Sequence, residues 1–265
     1  MGDAHGIRSR TRPARAPANP PGLRDLPFSL PRVTAAQKRR ARTILSMLDQ
    51  AYPDAHCQLD YASPHELLVA TILSAQATDV GVNKATPALF KRFPTPAHYA
   101  RATPEQIEPM IRSIGLYRNK AKAIQSAMKD IVERFGGDVP TTMDDLLTLR
   151  GVARKTANVV LGNAFGINDG IVVDTHVQRV ATRLGLVEEG QTTTMIERRL
   201  MALFPRDRWC DLSHLLIFHG RRVCKARGGT CASDPICRRF GSCARGKTVQ
   251  PAGKIHTGQA GKGRA

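Results

Sequence analysis

The feature that most constrains this chain is a glycine turn between two helical segments, followed by a lysine and a distant aspartate. Residues 149–157 read LRGVARKTA, and Asp174 follows nineteen residues after Lys155 in the string VVDTH. Gly151 is expected to end one helix, and the next is expected to restart at about Ala153. The free N–H groups and positive dipole end of a new helix favour binding of one phosphate. An ordinary αα-hairpin is the structural alternative.

The charge balance favours a polyanionic partner. Lys and Arg outnumber Asp and Glu by 40 to 22, which gives a net charge of +18. Such an excess repels itself in the folded state but suits nucleic acid. An anionic membrane surface or an acidic protein is the alternative. No run of 18 apolar residues occurs, so the sequence predicts no membrane span.

The two ends of the chain are expected to be disordered. Residues 1–33 are rich in Arg and Pro and lack an apolar signal core, which indicates a basic arm rather than a secretory signal. An organellar transit peptide is the alternative reading of the arm. Residues 247–265 contain Gly and Lys but no acid, which predicts a basic tail.

Between these ends the pattern is that of an all-α protein. Thr34 is expected to cap one helix, and Ser63 to cap a second that continues, apolar on every side, from Leu67 to Ala75. Thr141, with Asp144 at capping-box spacing, is expected to open a short helix before the glycine turn. Apolar residues at helical spacing predict a long helix from Tyr117 to Phe135.

Six cysteines occur, and four of them lie within the twenty residues from Cys224 to Cys243. In a chain without an export signal, this clustering indicates a metal or cluster site in a reducing compartment rather than disulfides. The ligands would be Cys224, Cys231, Cys237 and Cys243. Four thiolates suit an iron–sulfur cluster, and tetrahedral zinc is the alternative.

Several further strings follow the order known from one protein family. They are LSAQATDVGVNKAT at 73–86, IGLYRNKA at 114–121 and LIFHGR at 216–221. With the glycine turn, VVDTH and the cysteines, they cover roughly residues 35 to 245. On these strings the chain resembles the helix-hairpin-helix DNA glycosylases, most nearly the endonuclease III type.

The resemblance implies an architecture and a location. It implies two helical lobes: a barrel at 57–168 that carries the hairpin, and a [4Fe–4S] lobe formed by 34–56 plus 169–246. It also implies a bacterial enzyme that is cytoplasmic and associated with the nucleoid. The enzyme would be a monomer and would not bind a membrane. The partner would be duplex DNA that contains a damaged base or an abasic site.

The resemblance assigns catalytic roles to Lys155 and Asp174. Lys155 would attack the sugar C1′ and form a Schiff base, after which β-elimination cleaves the abasic strand. The amine must be neutral to attack, which desolvation and a neighbouring charge such as Arg154 would favour. Asp174 would stabilise positive charge on the sugar ring. The alternatives are a phosphate contact for Lys155 and a helix N-cap for Asp174.

The resemblance also implies a set of DNA contacts. Gln76 and Leu116 would enter the duplex once the damaged nucleotide leaves the stack, and Asp79 and His176 would border the base pocket. The hairpin residues Gly151, Ala153 and Arg154 would contact phosphate. The structural alternatives are a core position for Leu116, helix caps for Gln76 and Asp79, and a hydrogen-bonded helix histidine for His176.

Three features of the sequence depart from the family pattern. The spacing between Cys231 and Cys237 is three residues longer than the family's. Arg150 stands where a proline is usual before the hairpin glycine, and Ala153 stands where a second glycine is usual. Ala153 is acceptable if it is already helical, but it would crowd a phosphate or forbid a positive φ otherwise.

The predicted function is a bifunctional DNA glycosylase and AP lyase that removes oxidised pyrimidines. A monofunctional glycosylase of the adenine-mismatch type is one rival, although it needs no lysine at this position. A non-catalytic DNA-binding protein that uses the hairpin as a phosphate clamp is the other.

Overall fold

The computed structural model describes residues 26–243 and builds them entirely from helices and loops. Within that range there is no strand, so the all-α prediction is confirmed. No helix in this range has both the length and the apolar character that crossing a bilayer requires. The helices are α1 (Ala35–Ala51), α2 (Pro64–Ser74), α3 (Asp79–Arg92), α4 (Pro96–Arg101), α5 (Pro104–Ile107), α6 (Tyr117–Phe135), α7 (Met143–Leu147), α8 (Arg154–Ala164), α9 (Thr175–Arg183), α10 (Thr193–Leu203), α11 (Trp209–Arg222) and α12 (Pro235–Phe240), with 3₁₀ turns at Glu108–Ile111 and Arg206–Arg208.

Helices α1 and α2 begin where the sequence predicts a cap. The hydroxyl of Thr34 accepts from the backbone N–H of Gln37. The side chain of Gln37 accepts from the backbone N–H of Thr34, which completes a capping box. The hydroxyl of Ser63 caps α2 by accepting from the N–H of Glu66. Each cap satisfies an N–H group that the first helical turn would otherwise leave free.

The start of α7 differs from its prediction by one residue. Thr142, not Thr141, is the N-cap, and its hydroxyl accepts from the N–H of Asp145. The same hydroxyl donates to the Asp145 carboxylate at 2.6 Å. Thr141 and Asp144 have the same spacing as Thr142 and Asp145, so the sequence pattern does not distinguish the two pairs. In the structure Thr142 and Asp145 form the two hydrogen bonds.

The apolar side chains form two separate clusters. The first is built by α2 to α8. The second joins α1 to α9, α10, α11 and α12. Helix α2 lies at the centre of the first cluster, because every residue from Leu67 to Leu73 is buried and α3, α6 and α8 all pack on it. The domain boundaries stay a prediction.

The stretch 26–33 lies against the second cluster. It contributes four partly buried apolar side chains, namely Leu26, Phe28, Leu30 and Val33. The Phe28 ring lies 5.3 Å from the Arg154 guanidinium and 4.3 Å from that of Arg198. This stretch belongs to the arm that was expected to be disordered, and its apolar residues account for the contact. Residues 1–25 of that arm and the whole tail at 247–265 lie outside the described residues.

The hairpin turn depends on a glycine at position 151. Gly151 has a φ of +82°, in the left-handed region where a Cβ is costly. A Cβ there would lie 2.9 Å from the Cβ of Ala123 on α6, which is too close for two carbon atoms. The turn therefore lies tightly against the first cluster, three residues before α8 begins.

Gly151→Ala is expected to destabilise the protein by about 2 kcal/mol, because it adds left-handed strain and a steric clash. Thermal unfolding followed by circular dichroism should show a melting temperature lower by roughly 4 to 8 °C. Gly136→Ala is the matched control, since Gly136 also has a positive φ but open space around its Cβ position. Equal losses in the two variants would contradict the packing account.

Candidate active site and metal centre

A pocket lies where the two clusters meet, and it contains both residues expected to be catalytic. Its volume is about 160 Å³. The lining comes from α2, α3, α8 and α11 and from the segments before α2 and α9. Of the sequence-predicted site residues it includes Lys155, Asp174 and Asp79.

Lys155 lies in the first turn of α8, where the backbone N–H groups have no acceptor within the helix. Ala153 is the N-cap residue, and its side chain makes no capping bond. Its φ of −98° and ψ of 168° are extended, so its Cβ is accommodated without strain. The helix restarts at Ala153 as expected, with Ala153 as its N-cap rather than its first helical residue. The Lys155 side chain is exposed to solvent at the pocket.

Asp174 is both an N-cap and a pocket residue. Its Oδ1 accepts from the backbone N–H of Val177 at 2.8 Å, which caps α9 and fixes the carboxylate in direction. The segment before it is buried, with Ile171 1% and Val172 8% exposed. The helix-cap alternative is therefore realised, and it is compatible with a position beside Lys155 in the pocket.

Arg154 does not extend into the pocket beside Lys155. Its Nε lies 3.0 Å from Oε2 of Glu197, a buried residue of α10, and its Nη2 donates to the Asp169 carbonyl at 3.2 Å. Asn158 of α8 donates to the same carboxylate at 3.0 Å. The side chain thus joins the hairpin helix to the second cluster, and only its backbone N–H belongs to the open helix end.

Gln76 and Leu116 share an uncommon backbone conformation. Their φ values are 57° and 60°, and they are the two non-glycine residues with positive φ in the range 26–243. Such residues cost on the order of 1–3 kcal/mol and persist only where the surroundings impose them. Leu116 is also 57% exposed, which rules out the core alternative.

Asp79 and His176 differ in their relation to the pocket. Asp79 lines it and pairs with Arg221 at 2.6 Å, while Thr78, not Asp79, caps α3. His176 is absent from the lining; its Nδ1 lies 3.0 Å from Nη2 of Arg179. Burial lowers the pKa of His176. A hydrogen-bonded helix histidine describes this geometry.

Four cysteine sulfurs converge near the end of the described chain. The Sγ atoms of Cys224, Cys231, Cys237 and Cys243 all lie within 4.8 Å of one another. The longer spacing is absorbed by a turn and by α12, which Asp234 caps through the N–H of Cys237 at 2.8 Å. Clustered thiols are the donor set of zinc and iron–sulfur sites, so these residues fit a metal centre.

A buried hydrogen-bond chain supports one of these sulfurs. His219 is fully buried, with Nε2 3.2 Å from Sγ of Cys237 and Nδ1 2.8 Å from the Tyr52 hydroxyl. Burial lowers the pKa of His219 and raises that of Tyr52, which favours the neutral form of each. The tyrosine can then donate to Nδ1, and the Nε2–H can donate to the sulfur. Such outer contacts orient metal ligands.

Sequence reasoning missed several pocket residues. Gln58, Thr71, Ser74 and His214 line the pocket as well. Nε2 of His214 donates to Oδ1 of Asn163 at 2.8 Å. Ser74 lies inside the string LSAQAT, which could have indicated it. The others carry no local signal, because only the three-dimensional fold brings them to Lys155.

Comparison with known proteins decides the family. A model of the HhH-GPD superfamily, described as a base excision DNA repair protein, matches residues 69–206. The chain belongs to this superfamily. Endonuclease III of Synechocystis sp. is 54% identical over 77% of this chain and 92% of that protein. Endonuclease III of Bacillus subtilis is 45% identical over 72% of this chain and 87% of its own length.

Comparison with solved structures agrees with the sequence matches. A trapped endonuclease III–DNA covalent intermediate aligns with a TM-score of 0.75 and 42% identity, over 81% of this chain and 99% of that one. A thermostable thymine-DNA glycosylase has a TM-score of 0.66 at 21% identity, which supports the fold alone. The resemblance to endonuclease III-type HhH-GPD proteins drawn from the sequence is confirmed.

Tyr52→Phe is expected to weaken metal retention, because His219 loses the donor that holds its tautomer and ring. Loss of an outer-shell partner typically costs roughly tenfold to a hundredfold in metal affinity. The measurement is the rate of metal release to a chelator. Tyr99→Phe is the control, since the buried Tyr99 hydroxyl has no hydrogen-bond partner among residues 26–243. Equal release rates would contradict the proposed support.

Proposed function

We propose that this protein is a bifunctional DNA glycosylase and AP lyase that removes oxidised pyrimidines from duplex DNA. The observation that carries the proposal is the pocket shared by Lys155 and Asp174 in a member of the HhH-GPD superfamily. Its endonuclease III relatives and their DNA complexes support the same activity.

Lys155 is proposed as the nucleophile. The neutral Nζ attacks C1′ of the flipped nucleotide, and the bond between C1′ and the base breaks as the base takes a proton. Opening of the sugar ring then gives a protonated Schiff base. Removal of a proton from C2′ expels the 3′ phosphate by β-elimination, and water releases the lysine. The exposed position of Lys155 leaves its amine accessible to DNA.

Asp174 is proposed to act through its negative charge. Positive charge develops on the sugar ring as the base departs, and a fixed carboxylate nearby stabilises it. The hydrogen bond from Val177 fixes the carboxylate before the substrate arrives. A side chain held by a helix cap needs no reorganisation during the reaction, which supports this role.

The DNA contacts are proposed from the same geometry. The uncapped N–H groups of α8 would bind a phosphate through Gly151, Ala153 and the backbone of Arg154. Gln76 and Leu116 would enter the duplex, since an exposed leucine in a strained turn suits a wedge better than a solvent contact. Asp79 would border the base from the pocket lining, and His176, which lies outside that lining, would border it from the first turn of α9. The net charge of +18 favours the duplex as partner.

We propose that DNA lies across the junction of two lobes. The barrel lobe would comprise 57–168, and the cluster lobe 34–56 plus 169–246. Two separate apolar clusters with the pocket between them support this division. Lys155 lies on one side of the junction and Asp174 on the other. A kinked duplex would therefore have to lie across the junction to reach both residues.

The metal centre is proposed to hold a [4Fe–4S] cluster. The sulfur positions alone also suit zinc, whereas the family resemblance favours iron. Bound there, the cluster would hold the Cys224–Cys243 loop in place and take no part in base excision. Lys225 and Arg227 would then present positive charge to phosphates, whereas Arg221 and Arg222 pair with Asp79 and Asp54.

Borohydride trapping tests the nucleophile. The intact protein is expected to form a covalent adduct with a duplex that contains one oxidised pyrimidine, and Lys155→Ala is expected to form none. Asp174→Asn keeps an N-cap but loses the charge, so trapping should slow by roughly a hundredfold or more. Lys129→Ala is the control, since Lys129 pairs with Glu133 on the solvent side of α6.

The remaining outcomes of this assay would support other functions or another nucleophile. Base release without an adduct would support the monofunctional glycosylase. Salt-dependent binding without release or adduct, across several lesions, would support the phosphate clamp. An adduct that survives in Lys155→Ala would contradict the assignment of this lysine.

Metal analysis tests the cofactor. Protein purified without oxygen is expected to contain iron and no zinc, with visible absorption that disappears in Cys237→Ser. Cys57→Ser is the control: burial raises the pKa of Cys57 to about 11, and it lies in the other cluster. Zinc at one ion per chain would contradict the iron assignment.

A further inference from the structure

One buried cation of the first cluster has no role in the chemistry described so far. Lys120 lies in the first turn of α6 and is only 6% exposed. Its Nζ donates to the Leu73 carbonyl at 2.9 Å and to the Ala75 carbonyl at 2.6 Å. A lysine is seldom buried this far unless its charge has partners.

The two carbonyls lie at the end of α2, where helix geometry leaves them without partners. The last four C=O groups of any helix lack intrahelical donors, and they form the negative end of the dipole. Helix α2 has no basic residue in its own last turn. Lys120, which lies on α6, donates hydrogen bonds to these two carbonyls. Its positive charge also lies at the negative end of the α2 dipole. Burial lowers the pKa of Lys120, as expected for a desolvated ammonium group.

The same residue also contacts the second strained turn. The backbone N–H of Lys120 donates to the carbonyl of Leu116 at 3.1 Å, which closes the first turn of α6. On the other side, Gln76 directly follows Ala75, whose carbonyl the Lys120 side chain holds. One residue therefore connects the two non-glycine residues that have left-handed backbones.

We propose that Lys120 is a positioning residue that holds Gln76 and Leu116 at a fixed separation, so that both enter the DNA duplex together. This inference rests on the proposed wedge role of those two residues. Lys120 does not touch the substrate. Its side chain fixes the turn that carries Gln76, and its backbone fixes the turn that carries Leu116.

The left-handed turns explain why such a tie is needed. Each turn would relax to an ordinary backbone if its neighbours did not impose the strained one. Without the Lys120 ammonium, the Leu73 and Ala75 carbonyls would turn to water and the Gln76 turn would be free to relax. The Leu116 turn would remain, because its contact with Lys120 is made by the backbone.

The test measures insertion directly and without reaction. A duplex with a tetrahydrofuran abasic analogue opposite 2-aminopurine brightens when the aminopurine is unstacked. Lys120→Met is expected to lose most of this increase and to slow single-turnover base excision by roughly tenfold to a hundredfold. Lys122→Met is the matched control, because it removes an exposed lysine from the same helix. It should behave as the intact protein does.

A coupling measurement separates positioning from a general structural effect. In a Leu116→Ala background, adding Lys120→Met should reduce excision much less than it does in the intact protein, because the paired insertion is already lost. A purely structural role would give the same fold-loss in both backgrounds. Should Lys120→Met not fold, Lys120→Gln serves instead, since its amide can still donate to one carbonyl.

The outcomes are distinct from those that test the proposed function. Fluorescence and excision equal to those of Lys122→Met, in a folded Lys120 variant, would overturn the positioning role. If the intact protein brightens the probe but excises no base, the proposed reaction fails while the positioning role stands. If the intact protein does not brighten the probe at all, the wedge role and this inference fail together.

Discussion

Burial of helix α2 is the constraint on which the rest of the site depends. It is apolar on every side and lies inside the first cluster, so the elements that pack on it cannot shift independently. Close-packed protein interiors transmit displacement rather than absorb it. Gln76 follows Ala75, the C-cap of α2, Leu116 directly precedes α6, and the Gly151 turn lies against Ala123 of α6. Three elements proposed to meet DNA are thus positioned by one buried helix and its neighbour.

A second constraint is the junction between the two clusters. Lys155 belongs to a helix of the first cluster, and Asp174 caps a helix of the second. Their shared pocket exists only while both clusters keep their relative position. The ion pair between Arg154 and the buried Glu197 joins the two sides within a few residues of Lys155. Breaking this pair would leave the buried Glu197 carboxylate without its cationic partner, so the link resists opening of the junction.

The sequence predicted the local features well because they depend on short spacings. Thr34 and Ser63 cap helices as their positions indicate, and Asp174 does as well. The start of α7 was misplaced by one residue, because two threonines have equal spacing to an acid. Ala153 was interpreted through the glycine it replaces, whereas its extended backbone imposes no such requirement.

What the sequence could not predict depends on contacts between distant residues. Lys120 has the local pattern of a solvated helix lysine, and only packing against the end of α2 buries it. The same holds for Arg154, whose partner Glu197 is 43 residues away. Leu116 could have been a core residue until its exposure was known. The positive φ values of Gln76 and Leu116 likewise follow from surrounding structure, since neither residue type favours them.

The central claim is that one packed scaffold presents a lysine nucleophile and two wedge residues to the same nucleotide. The most direct measurement is a crystal structure of the borohydride-reduced complex with a duplex that contains an oxidised pyrimidine. The account predicts a bond between Nζ of Lys155 and C1′, Asp174 beside the sugar, and Gln76 and Leu116 inside the base stack. A bond to another lysine, or a duplex that neither wedge residue enters, would contradict it.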